Sequence, residues 1–185
     1  NRRRVLAAAE ELFARRGARD VTMEEIARTA GVGKGTLYRC YPDRASIAVA
    51  LLDGHERDLQ QRLLGGPPPL GPGAPPPERL AAFYAAMVDL LERHAHLALG
   101  VEAGERRFAT GAYGFWRAHV HALLAASGVP ASGRDALVDA LLAPLAPEVY
   151  LFQRQARGRT PAEVAGALAY LAERLLGPPP AGVRS

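Results

Sequence analysis

Residues 22–44, TMEEIARTAGVGKGTLYRCYPDR, leave the backbone few choices. Thr22 is a helix-capping residue, and Glu25 three positions on completes a capping box. Met23, Ile26, Ala27 and Ala30 then recur at helical spacing. Gly31 follows where a helix end favours a residue tolerant of positive φ. Val32 is the lone apolar residue of the turn, placed to plug the space between two helices. A second helix is expected from about Gly33 to Cys40, and Asp43, after Pro42, reads as the cap of a third. Two helices joined by a three- or four-residue turn holding glycine form a helix-turn-helix. Enzymes also contain helix hairpins of this size, so spacing alone leaves the role open.

Side-chain chemistry points toward nucleic acid. The second helix opens Gly33-Lys34-Gly35-Thr36, with unpaired amides that suit phosphate or base-edge acceptors. Gly35 removes bulk where a backbone would approach DNA. Lys34 can bond guanine acceptors, and Thr36 a base or a thymine methyl. Tyr38, Arg39, Tyr41 and Arg44 can all reach phosphates or base edges. Lys34 is the only lysine in the chain, so a compact ammonium stands here where arginine is used everywhere else.

The same stretch closely resembles the DNA-binding segment of TetR-like (tetracycline-repressor-like) regulators, whose pattern runs T-x-x-x-I-A-x-x-A-G-V-S-x-G-T-L-Y-x-Y-F-x-x-K. The match is ungapped and extends over about residues 3 to 52; beyond it only the layout is similar. The resemblance implies an all-α homodimer, with an N-terminal three-helix DNA reader and a C-terminal helical domain for effector binding and dimerisation. Carried across by position, the family's phosphate contacts fall on Thr22, Tyr38 and Arg44, and its base-proximal positions on Lys34, Gly35, Thr36 and Arg39. Three departures bear on affinity and operator choice. Gly33 replaces serine and loses a hydroxyl, Cys40 stands where tyrosine or histidine is common, and Tyr41 replaces phenylalanine.

Composition sets limits. The 185 residues suffice for one large or two small cores, and 49% are hydrophobic. Net charge is +4; residues 1–64 hold 12 Lys/Arg against 9 Asp/Glu, so +3 of it lies in the candidate reader. One cysteine excludes an intramolecular disulfide and fits a reducing cytoplasm. No apolar run reaches the ~18 residues of a membrane span, and no signal peptide is visible. Asn1 opens the chain in place of a methionine, which is compatible with a preceding arm.

The expected division is a DNA-binding domain over 1–46 and an effector-binding and dimerisation domain over 47–185. In the first helix, 1–16, Val5, Leu6, Ala9, Leu12 and Phe13 form an apolar stripe. Arg2, Arg3 and Arg4 at its start suit a DNA backbone or a solvated end. Helix four, about 44–64, faces Ile47, Leu51, Leu52, His55, Leu59 and Leu63 inward, and is the natural lever between sensing and reading. Residues 65–77, GGPPPLGPGAPPP, cannot be helix or central strand and read as a stiff, partly extended connector.

Helix five is expected over about 78–94, a short segment over 100–108, and a further helix over 112–126. Phe83, Tyr84, Met87, Phe108, Tyr113 and Trp116 are raw material for an apolar effector pocket, and equally for a core. Only the family resemblance favours a pocket. A helix over 133–157, capped by Ser132, must kink or break at Pro144 and Pro147. A last helix over 161–176 carries Thr160 as cap and Glu163 to complete a capping box. Leu137, Leu141 and Leu145 form one apolar stripe, and Val164, Leu168, Leu171 and Leu175 another. The resemblance implies that these two pair with their symmetry mates as a dimer interface; an intramolecular helix pair is the alternative.

No metal, cofactor or catalytic constellation is expected. The pairs His94-x-His96 and His119-x-His121 have i, i+2 spacing, which splits across a helix, and no nucleophile elbow, P-loop, dinucleotide fingerprint or HExxH is present. The implied function is a non-enzymatic transcriptional regulator. It acts as a repressor by family habit, and a small, mostly apolar effector releases it from a pseudo-palindromic double-stranded operator. Two alternatives stand beside it: an architectural DNA-binding protein without effector, and a ligand-binding protein whose reader has decayed.

Overall fold

The computed structural model describes residues 1–101 and 111–178. Among these the regular structure is helical: α1 (Arg2–Arg16), α2 (Met23–Ala30), α3 (Lys34–Cys40), α4 (Arg44–Gly65), α5 (Pro76–Val101), α6 (Gly111–Ala126), α7 (Arg134–Leu142), α8 (Pro147–Leu151) and α9 (Pro161–Leu176), with a single 3-10 turn, Ala18–Asp20, between α1 and α2. The expected all-α fold is the observed one.

Local chemistry sets the helix ends. Thr22 Oγ1 accepts from the Glu25 amide at 3.2 Å while the Thr22 amide donates to Glu25 Oε2 at 2.8 Å, closing the capping box. Thr160 and Glu163 repeat this arrangement at α9, and Asp43 with Ser46 at α4. Gly31 ends α2 at φ +61°, where a side chain would be strained; its carbonyl accepts from Arg4 Nη2 at 2.9 Å. Gly133 rather than Ser132 stands at the start of α7, and it offers no side-chain cap. The break at Pro144 and Pro147 divides the expected 133–157 helix into α7, a 3-10 turn over Ala143–Leu145, α8 and a π-helical turn over Phe152–Ala156.

Two apolar clusters result. The first gathers Val5, Ala9 and Phe13 of α1, Ile26 of α2, Leu37 of α3, and Ile47, Ala48 and Leu51 of α4. The second packs α5 against α4, α6, α8 and α9, with Leu59 and Leu63 contributed by α4. The expected boundary at 46/47 thus falls inside α4, which runs unbroken from one cluster into the other.

The Pro/Gly segment is not an extended connector. It folds back on itself, with the Gly71 amide donating to the Pro67 carbonyl at 3.0 Å and Leu70 buried in the second cluster. A Cβ at Gly71 would stand 1.8 Å from the Gly66 carbonyl oxygen, so this close approach requires glycine. Pro76 and Pro77 sit in the first turn of α5, where a missing amide donor costs nothing. Arg79 Nη2 then reaches back to the Leu63 carbonyl at 3.2 Å, satisfying an orphan acceptor at the end of α4.

Candidate nucleic-acid interface and effector cavity

α3 presents one buried side chain, Leu37, and an exposed outer face. Gly33, Lys34, Gly35, Tyr38 and Arg39 are exposed, and Thr36 is half-buried. A Cβ at Gly33 or at Gly35 would meet open space. Gly35 in a helix interior costs about 1 kcal/mol relative to alanine. Nothing among the described residues requires a glycine at this position.

The polar groups of this face are engaged with one another. Lys34 Nζ lies 3.1 Å from Glu24 Oε1 on α2, and this hydrogen bond holds the Glu24 carboxyl below its usual range. Arg39 Nη2 donates to Thr36 Oγ1 at 3.3 Å. Each contact is exposed and weak in water, so DNA acceptors can replace Glu24 at little cost. Arg16 stands 2.6 Å from Glu25 and, with the Thr22 groups, brings that carboxyl down to about 2. Thr22 is therefore both cap and surface hydroxyl.

Three basic or aromatic residues sit differently from the sequence expectation. Tyr41 is buried in the first cluster, 7% exposed, because its extended backbone at the end of α3 turns the ring inward. Burial pushes its hydroxyl pKa up, and Arg2 lies over its ring at 5.8 Å. A direct base contact from Tyr41 is excluded in this arrangement. Arg44 Nη1 donates to the Val21 carbonyl at 3.0 Å, so it also braces the start of α2. Arg4 is likewise engaged with Gly31, which makes part of the N-terminal arginine cluster structural.

Behind the reader lies a cavity of about 760 Å³. Its apolar wall includes Leu52, Met87, Leu90, Leu91, Tyr113, Trp116, Leu142 and Leu145; its polar wall is Glu56, His94, Arg117, Asp139 and Glu148. Of the expected pocket residues, Met87, Tyr113 and Trp116 line it. Phe83 and Tyr84 do not: both are fully buried in the second cluster, and Tyr84 donates its hydroxyl to the Leu141 carbonyl at 3.1 Å. Phe108 lies outside the described residues. Arg117 of α6 contacts Asp139 and lies 3.6 Å from Asp135, both on α7, closing one side. His94 apart, sequence reasoning missed this polar wall, because its members come from five separate helices with no shared spacing.

The expected dimer stripes are also redistributed. Leu145, Val164 and Leu168 are buried within the protomer, and Leu137 and Leu141 pack partly against its core. α9 buries Val164, Leu168, Ala172 and Leu176, a strict i, i+4 row, rather than the mixed row ending in Leu171 and Leu175. Leu171 and Leu175 remain exposed, beside Tyr170 on the same helix; Phe152 on the π-helical turn is 58% exposed. A clamp ties that turn to α5. Arg154 forks onto Glu92 with two 2.8 Å hydrogen bonds, and the Tyr150 hydroxyl donates to the same carboxylate at 2.5 Å. These donors, Arg154 first, bring the Glu92 carboxyl down to about 2. No described helix is long and apolar enough to cross a membrane.

Residues 5–51 match the model for bacterial regulatory proteins of the tetR family. An uncharacterized HTH-type transcriptional regulator of Mycobacterium tuberculosis is 43% identical over 56 residues, a stretch covering 30% of this chain and 30% of that protein. Over the whole chain the likeness is one of fold. The Bacillus subtilis transcriptional regulator FadR, solved in complex with stearoyl-CoA, aligns over 95% of this chain and 99% of its own with a TM-score of 0.68 and 17% identity. Thermus thermophilus FadR, a repressor solved in complex with lauroyl-CoA, aligns over 100% of both chains with a TM-score of 0.61 and 21% identity.

Proposed function

We propose that this chain, whose residues 5–51 match the model for bacterial regulatory proteins of the tetR family, is a homodimeric transcriptional repressor that leaves a pseudo-palindromic operator when a small, mostly apolar molecule fills the 760 Å³ cavity. The observation that carries this reading is the continuity of α4. Leu51 packs in the reader cluster while Leu52 and Glu56, within the next two turns, line the cavity. A molecule that moves the cavity wall therefore moves the reader's own core, with no loop between them to absorb the shift. Lys34, Gly35, Thr36 and Arg39 face the bases, and Thr22, Gly33, Tyr38 and Arg44 the phosphates. The two readers are held apart by a dimer face centred on Phe152, Tyr170, Leu171 and Leu175, four of the exposed apolar residues of the last helices.

The cavity's polar wall narrows the effector. Glu56, Asp139 and Glu148 outnumber the single arginine, which is already paired with Asp139. An apolar body with a neutral or cationic end suits this wall; the phosphates of a coenzyme A thioester would have to remain outside it. Release assays with acyl-CoAs, free fatty acids and lipophilic amines distinguish these classes. Ala146→Trp, which fills the cavity, is expected to leave operator binding intact and abolish an effector-induced drop of about 5–150-fold in affinity. Undiminished release from that variant places the effector elsewhere.

The DNA assignment is tested by footprinting the upstream region with excess competitor DNA. Lys34→Ala is expected to relax preference at one base position by about 1–3 kcal/mol, whereas Arg44→Ala weakens every sequence alike and reduces the salt slope by about one per reader. Because Arg44 also holds Val21, its melting temperature is measured alongside. Identical losses from both variants on all sequences contradict the assigned roles.

A further inference from the structure

Three helices converge on one cluster that the DNA and effector sites do not explain. Glu10 of α1, His55 of α4 and His94 of α5 offer a carboxylate oxygen and two imidazole nitrogens, all within 4.8 Å of one another. Neither i, i+2 histidine pair creates this cluster; it takes His94 alone and adds residues far away in sequence. We propose that Glu10, His55 and His94 bind one first-row divalent cation of the zinc type, clasping the reader to the sensing domain.

The donor set decides the class of ion. Two imidazoles and one carboxylate suit zinc and its neighbours, whereas magnesium and calcium favour oxygen alone. Ligands held about 2.0–2.2 Å from a tetrahedral ion stand about 3.3–3.6 Å from each other. The three donor atoms lie within 4.8 Å of one another, with His55 Nε2 and Glu10 Oε1 at 2.9 Å, so small side-chain shifts that open that pair slightly and draw in the third ligand reach this spacing. The rings stack nearly parallel, at 16°, with centroids 4.0 Å apart. An ion lies in the plane of each imidazole that binds it, so one ring must turn about χ2 to converge on the other.

The contacts in place fall short of a finished hydrogen-bonded pair. His55 Nε2 lies 2.9 Å from Glu10 Oε1, yet this buried nitrogen lacks the alignment of a hydrogen bond. A cation between the two groups would satisfy both. Access exists from solvent, since the Glu10 side chain is 46% exposed, whereas His94 is buried and lines the effector cavity. Three protein ligands leave a fourth position for water or for a donor atom of a cavity occupant. Because Glu10 belongs to the helix that backs α2 and α3, the bound ion restrains the reader relative to α4 and α5.

The test uses tag-free, chelator-treated protein titrated with ZnCl₂ against a chromophoric zinc chelator. One zinc per chain is expected, with Kd below about 1 μM, together with a rise in melting temperature that grows with free zinc. Glu10→Gln and His55→Gln should each weaken binding about tenfold or more, whereas His121→Gln on α6 should not. Metal-free melting of each variant establishes that it is folded, and surface-exposed Glu10 supplies the decisive variant if His55→Gln is not. Absence of zinc uptake by the wild type, or uptake unchanged in Glu10→Gln, overturns the proposal.

Discussion

Leu37→Ala is expected to remove operator binding while leaving the sensing domain folded. α3 has only seven residues, and a helix that short has no stability of its own in water. Gly35 weakens it further. Leu37 is the one fully buried α3 side chain in the first cluster, with half-buried Cys40 packed against that cluster at the helix end. Truncating a buried leucine costs about 2–5 kcal/mol, and the small, half-buried Cys40 is the other α3 side chain packed on this cluster. If this cost falls on α3 alone, operator affinity drops roughly 30-fold to more than 1,000-fold at fixed salt. Helicity by far-ultraviolet circular dichroism should change little, because α4 to α9 close a separate cluster. Amide hydrogen exchange should lose protection in residues 32–41 and retain it in α5 and α9. Near-native operator affinity in this variant would show that α3 is held by contacts beyond its buried face.

The features read correctly from sequence are those that a few adjacent residues decide. Thr22 with Glu25, Gly31, Asp43 and Thr160 with Glu163 each act within one turn, where backbone hydrogen bonding admits few alternatives. Features decided by packing were read less well. Tyr41 lies in a stretch of surface chemistry, but one extended residue at the end of α3 carries its ring into the core. In α9 a 4-3-4 row of apolar residues and a strict i, i+4 row coexist, and only the neighbouring α5 selects between them. The Pro/Gly segment has the composition of an extended linker. A single leucine, Leu70, finds a place in the second cluster and folds it back. The cavity and the Glu10–His55–His94 cluster draw on three or more helices, so no window of sequence contains them.

Acidification from pH 7 to pH 5 is expected to destabilise the wild type more than His119→Leu. The His119 ring of α6 packs at 5.3 Å from Phe83, and its Nε2 is buried without a hydrogen-bond partner. Burial, aided by the charge of Arg79, pushes its pKa from 6.5 down to about 4. The unfolded chain therefore takes up a proton near pH 6.5 that the native chain refuses until about pH 4. Between these values the unfolded state binds more protons, so stability is full above pH 6.5 and falls as pH drops toward 4. Complete desolvation would make the loss at pH 5 about 2 kcal/mol; residual solvent contact of the ring reduces it to on the order of 1 kcal/mol. Glu25 and Glu92, held at about 2, act in a lower window: their contributions persist above about pH 4.5 and fade only below it. Urea unfolding at fixed protein concentration, with chelator present, separates the two. The His119→Leu midpoint should stay nearly level from pH 7 to pH 5 while the wild-type midpoint falls, and the curves should then drop together below pH 4 as the carboxylates protonate. Parallel curves across the upper window would mean that the unfolding reaction does not expose this ring.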